Sequence, residues 1–139
     1  MQNRVKKSEG ITLLELLIVL VIVALLTGIA IPSYRGQVTK ARRSDGLVSL
    51  LDLTTRIERY FAEHNTFVGA TVGDLMSSDK SPEGYYDLSL SHLTVTTYTA
   101  SAAPVAPQLN ADEKCGTLSI NELGQKSISG AGTVAQCWR

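Results

Sequence analysis

With 139 residues, of which a 21-residue apolar run (Ile11 to Ile31) must be set aside, only about a hundred remain for a separate core, which limits the chain to one anchor and one modest domain. Thirteen basic residues balance thirteen acidic ones, and loss of residues 1–10 would leave 10 and 12, a balance that argues against general nucleic-acid binding, which needs a basic excess. The two cysteines, Cys115 and Cys137, have 21 residues between them and no nearby histidine or second pair to complete a tetrahedral metal site. They point to a disulfide in an oxidising compartment, with two buried free thiols as the alternative.

The N-terminus opens with a leader, Met1 to Gly10, that carries Arg4, Lys6 and Lys7 and gives way abruptly to the apolar run, whose only ionisable residue is Glu15. At ~1.5 Å per residue that run makes a helix of roughly 31 Å, close to the hydrocarbon thickness of a bilayer. The basic side should stay in the cytoplasm and direct the C-terminal domain to the periplasm or exterior. The alternative is an ordinary secretory signal peptide ending at Gly28-Ile29-Ala30 and releasing a domain that starts at Ile31. Against it, the run exceeds the ~7–15 residues of a typical signal core, and such a peptide has no use for Glu15.

A carboxylate at the centre of a membrane helix costs on the order of 2.5–3.5 kcal/mol, less toward an end, so Glu15 needs a partner. Cleavage between Gly10 and Ile11 would supply one, an amine one helical turn away; the dipole at the helix start is the simpler account. Between staggered parallel helices, Glu15 of one subunit would meet the amine of another, and neutralisation would set the stagger.

At these residues the chain closely resembles the type IV pilin family, in which a leader ending in Gly is followed by an apolar residue, Thr, two apolar residues and Glu. Here the match is Gly10-Ile11-Thr12-Leu13-Leu14-Glu15, and the ten-residue leader is similar to that of the short-leader, type IVa branch. The resemblance implies that a prepilin peptidase cuts between Gly10 and Ile11 and methylates the Ile11 amine, and that Glu15 guides the subunit into a growing filament. It also implies the inner membrane, the pilus assembly machinery and other pilin subunits as partners. Ile11 stands where the family more often has Phe or Met, an apolar exchange.

Pro32 cannot donate to the carbonyl of Gly28, itself a weak helix former, so Gly28 to Pro32 is expected to be a weak point with a kink; the resemblance adds that it would lose helicity in a filament. Beyond it, Val38, Ala41, Leu47, Val48, Leu50, Leu51, Ile57, Tyr60 and Phe61 recur at helical spacing and predict one packed face, with the helix fading around Glu63-His64-Asn65. Lys40, Arg42 and Arg43 form the one tight basic cluster, expected as a solvated face or a contact for lipid phosphates rather than for nucleic acid.

Val68 to Gly84 reads as a surface loop. Tyr85 to Ser91 and Leu93 to Ala102 read as strands, interrupted by Ala103-Pro104-Val105-Ala106-Pro107. Thr117 to Ile120 and Lys126 to Ser129 flank a turn at Asn121 to Gly124. A Cys115–Cys137 bond would enclose this last hairpin and contribute roughly 3 kcal/mol in the loop-entropy model. Cys115-Gly116-Thr117-Leu118, Gly124-Gln125-Lys126 and Cys137-Trp138 resemble the PilE-like group of pilins, which implies a disulfide-bounded C-terminal region. Lys114, Lys126 and Arg139 surround it, without aromatic residues interleaved as a single-strand platform requires.

His64 and His92 stand alone, and the chain has neither a Gly-x-Ser-x-Gly elbow nor a phosphate-binding loop, so neither an enzyme nor a cofactor is expected. Asn110, Asp112 and Glu113 are too few for a calcium assignment. The expected fold is α+β, a pilin fold with a long N-terminal helix packed on a four-stranded antiparallel sheet. It divides into leader 1–10, membrane and filament-core helix 11–31, amphipathic continuation 32–64 and β head 65–139. The expected function is a structural subunit of a type IV pilus, leaning to a minor one, used in adhesion, twitching motility or DNA uptake. The alternatives are a type II secretion pseudopilin and a minor pilin acting as a DNA receptor.

Overall fold

The computed structural model describes residues 10–139, so the basic leader with Arg4, Lys6 and Lys7 lies outside the described residues. Helix α1 spans Leu13–His64. The chain divides into two compact units, one ending at Gln37 and the other running from Val38 to Arg139.

In the first unit, α1 exposes its apolar side chains and is long and apolar enough to cross a membrane. The helix continues through Gly28 and Pro32 without a break. Just before Gly28 the Thr27 hydroxyl donates to the carbonyls of Val23 and Ala24, at 2.9 and 3.0 Å.

In the second unit, the rest of α1 is followed by a four-stranded antiparallel meander with strands in chain order: β1 Tyr86–Ser91, β2 Thr99–Pro104, β3 Leu118–Asn121 and β4 Lys126–Ile128. Tyr86 pairs with Pro104, Ala102 with Leu118 and Ile120 with Lys126. The helix presents Leu47, Leu50, Leu53 and Ile57, spaced three or four apart, to Tyr86, Leu88, Ala100, Ala102, Leu118 and Ile120 of the sheet. The expected packed face needs correcting here. Val48 and Leu51 are 67% and 46% exposed, while Leu53 is fully buried. Val48 and Leu51 follow buried residues by one position, which turns them about 100° away from the core at 3.6 residues per turn.

The helix ends where expected, with Asn65 in the left-handed region at φ 55° and its N–H bonded to the Phe61 carbonyl at 2.7 Å. The loop before the sheet contains a one-turn helix, α2 Val72–Leu75, whose N-cap Thr71 accepts from the Asp74 N–H. The second strand begins later than expected. Residues 93–98 form a turn, because Thr94 turns its hydroxyl on the local backbone, accepting from the N–H groups of Thr96 and Thr97 at 3.3 and 3.0 Å. Strand pairing then runs on through Ala103 and Pro104, residues expected to interrupt it; Pro104 closes the strand at its last position. The β3–β4 turn holds: Asn121 Oδ1 accepts from the Leu123 and Gln125 N–H groups, and Gly124 takes φ 71°. Two further one-turn helices, α3 Gln108–Ala111 and α4 Val134–Cys137, complete the unit.

Helix and sheet lie close together at Gly46, where a Cβ would be 2.6 Å from the fully buried Tyr86 ring. Gly46→Val should therefore destabilise the folded head by ~1–3 kcal/mol, the usual cost of overpacking a filled core. Thermal unfolding of the full chain in detergent, followed by circular dichroism, checks this; an unchanged midpoint would contradict the packing described.

Candidate functional site

The residues expected to direct processing and assembly sit at the start of α1. Gly10 and Ile11 precede the helix in exposed, non-helical backbone, so the peptide bond between them is accessible. Thr12 is the N-cap: its Oγ1 accepts the Glu15 N–H at 3.2 Å, and its carbonyl accepts the Leu16 N–H at 3.1 Å. Glu15 is therefore the third helical residue, near the positive end of the helix and at the Thr-x-x-Glu spacing of a capping box. The spacing Thr12 to Glu15 is a local signal for this helix start, independent of any membrane. It gives Glu15 a place in the monomer without an amine partner.

At the other end of the chain, Cys115 and Cys137 form a disulfide with Cα atoms 5.6 Å apart. Trp138, the next residue, donates its indole N–H to the Ser127 carbonyl at 3.3 Å, and its ring centre lies 5.0 Å from the Lys126 Nζ. The expectation that no aromatic residue interleaves Lys114, Lys126 and Arg139 is corrected to this extent, that Trp138 reaches Lys126 across twelve positions of chain. The Lys40–Arg42–Arg43 cluster is corrected too. Arg42 stacks over the Tyr85 ring at 4.3 Å, and Arg43 turns inward to Asp112. Asp112 is thereby removed from any calcium set with Asn110 and Glu113. His64 stacks on Tyr60 with ring centres 4.0 Å apart.

A family model described as "Type IV minor pilin ComP, DNA uptake sequence receptor" matches residues 32–119, more than half of the chain, and a model of the prokaryotic N-terminal methylation motif matches residues 5–31. The chain belongs to the ComP family of type IV minor pilins. Among its relatives, prepilin peptidase-dependent protein D of Escherichia coli K12 is 31% identical, over 92% of this chain and 71% of that protein. The type IV major fimbrial protein FimA of Dichelobacter nodosus is 32% identical over 89% and 72%. The crystal structure of the non-core minor pilin PilV of Neisseria meningitidis superposes with a TM-score of 0.52 at 26% identity, covering 68% of this chain and 89% of that one. The α+β pilin fold and the assignment as a pilus subunit, expected from the N-terminal motif, therefore stand.

Within the head of this minor pilin, one buried polar network joins α1 to the segment around α3. Arg43 Nε and Nη2 donate to Asp112 Oδ2 and Oδ1 at 2.7 and 2.6 Å. Gln108 Nε2 donates to the Thr39 carbonyl, the Tyr86 hydroxyl and Asp112 Oδ2, at 3.0, 3.2 and 3.3 Å. Hydrogen bonding to Asp112 raises the Arg43 pKa despite partial burial. Burial pushes the Tyr86 phenol up to about 12, and the Tyr98 phenol moves the same way through burial and then its bond to Glu58. The surface groove lined by Thr54, Thr55, Glu58, Tyr98, Ile120 and Glu122 is shallow, about 250 Å³, and the Thr54 and Thr55 hydroxyls on it donate to the Leu51 carbonyl.

The two tyrosines tie stability to alkaline pH. Each has a higher pKa folded than unfolded, so its neutral form favours the fold below pH 10, and that contribution is lost as pH rises through about 12 at Tyr86. Unfolding midpoints measured from pH 9 upward should fall more steeply in the wild type than in Tyr86→Phe, whose buried ring has no proton to lose. Equal slopes would contradict the burial assigned to this phenol.

Proposed function

We propose that this minor pilin is made as a membrane-anchored precursor, cut between Gly10 and Ile11 by a prepilin peptidase, methylated on Ile11 and inserted from the inner membrane into a type IV pilus. The reading rests above all on the match of residues 5–31 to the methylation motif, together with a cleavage bond exposed ahead of a capped, membrane-length helix. The head faces the periplasm before assembly, in keeping with its disulfide. Glu15 then acts twice. Its carboxylate lies at the positive end of its own helix, and in the filament it neutralises the Ile11 amine of a neighbour in apolar surroundings. The segment Gly28 to Pro32, short of one backbone donor, is the place where α1 gives way during assembly.

Exact mass and N-terminal sequence of the protein in sheared filaments test the reading. An N-methylated Ile11 terminus is expected, whereas a chain starting at Ile31 and absent from filaments would refute it. Glu15→Gln should still be cleaved, because the bond lies outside the helix. Its recovery in filaments should fall on the order of a hundredfold, the equivalent of leaving an amine without its ~3 kcal/mol partner in an apolar core.

A second reading, that the head contacts DNA, is favoured by the family description and by the juxtaposition of Lys126 and Trp138 beside the disulfide. A lysine can neutralise a phosphate while the indole face stacks on a base or sugar. The full chain in detergent should shift duplex DNA in a salt-dependent gel assay. Trp138→Ala should weaken the complex by roughly five- to a hundredfold. Lys126→Gln should reduce the slope of log affinity against log salt by about one. Absence of any complex at low salt would exclude this reading and leave the assembly role untouched.

A further inference from the structure

Arg43 lies between the two stretches of chain that carry the cysteines. Its Nε and Nη2 hold the Asp112 carboxylate, three residues before Cys115, while its Nη1 donates to the Gln136 carbonyl, one residue before Cys137, at 3.4 Å. The Asp112 carbonyl in turn accepts the N–H groups of Cys115 and Gly116, at 3.0 and 2.9 Å. A guanidinium suits this role because its planar fork can bond two groups at once, which an ammonium on a flexible stem cannot do with the same geometry. Side-chain exposures of 12% for Arg43 and 3% for Asp112 keep the pair largely free of competing water.

A backbone seam runs beside this link. The Gly132 N–H donates to the Lys114 carbonyl at 2.7 Å, and the Gly130 N–H to the Cys115 carbonyl at 3.1 Å. The two segments therefore meet through bonds that involve no sulfur. Cys115 and Cys137 are only 3% and 1% exposed, so once the segments close, the sulfur atoms are shielded from solvent and from competing thiols.

We propose that Arg43 is the positioning residue for the Cys115–Cys137 bond: its guanidinium holds both cysteine segments against α1 in the reduced chain, so that the helix templates the disulfide before it forms. In the closing step the two thiols lose two protons and two electrons. A small disulfide oxidant accepts the electrons and leaves as two thiols, through a mixed disulfide that the second cysteine resolves. Holding the resolving thiol close raises its effective concentration. By linkage, the closed disulfide must strengthen the Arg43 contacts to the same degree.

The test is the exchange equilibrium of the full chain, in detergent micelles, against mixtures of reduced and oxidised glutathione, with the bonded fraction read by thiol trapping and mass. Arg43→Gln and Asp112→Asn should each lower the effective thiol concentration on the order of tenfold, the value of a charge-assisted bond. Arg43→Lys should fall between these variants and wild type, since it keeps the charge and loses the fork. Leu88→Ala, which weakens the sheet core without touching either cysteine segment, should leave the equilibrium within about twofold. An Arg43→Gln value within about twofold of wild type, or a Leu88→Ala loss as large as that of Arg43→Gln, would overturn the proposal. Should Arg43→Gln not fold, Arg43→Lys decides: a reduced effective concentration supports the template and an unchanged one removes it.

Discussion

Everything in the head depends on one stripe of α1, in which Leu47, Leu50, Leu53 and Ile57 lie against the inner faces of β1, β2 and β3. Each such side chain contributes about 1.5–3 kcal/mol when fully buried, and no other element offers the sheet an apolar surface of that length. The sheet is shaped to receive it. Ala100 and Ala102 leave room in β2, and Gly46 lets the Tyr86 ring lie directly on the helix backbone. The same helix faces a different requirement before Gln37, where its large aliphatic side chains, from Leu13 to Ile31, are exposed and need lipid or neighbouring helices to cover them. One continuous element thus serves two solvents, with the change written into which positions around the helix are apolar.

Past the sheet core, the C-terminal third is held by other means. Leu118 and Ile120 of β3 still join the core, but β4 and the one-turn helices α3 and α4 add little apolar surface to it, and their place is held by a disulfide, an ion pair and close backbone approaches. A Cβ at Gly132 would lie 2.7 Å from the Lys114 carbonyl. At Gly116 the backbone takes φ 61°, a left-handed conformation that a β-carbon disfavours.

How much of this was legible depended on the range of the interactions. The processing motif, the helix limit at His64 and the turn at Asn121 to Gly124 are written in adjacent residues and are legible locally. Local sequence puts Arg43 on a solvated face, because its partner, Asp112, lies 69 positions away and no local pattern announces it. Val48 and Leu51 were counted into the core because apolar character alone does not say which side of a helix a sheet will cover. The Thr94 turn failed for a different reason: threonines favour strands on average, yet the hydroxyl of Thr94 competes for the backbone groups that a strand would use. Trp138 was read as part of a family signature, and its contact with Lys126 required the fold of the last hairpin.

Net charge bears directly on how such a head could hold a polyanion. Without residues 1–10 the chain has 10 basic and 12 acidic groups, and Arg43, Arg56 and Lys80 are already paired within the head. Few cations remain to displace counterions, so electrostatic attraction alone would give a shallow salt dependence and weak, unselective binding. Affinity would then have to come from a rigid aromatic surface set beside a small number of charges. Trp138 meets that condition because its indole N–H is fixed on the Ser127 carbonyl and the neighbouring disulfide anchors its backbone. The ties that compensate for a thin apolar core therefore also pre-organise this contact, and an incoming ligand has less side-chain ordering to impose on binding.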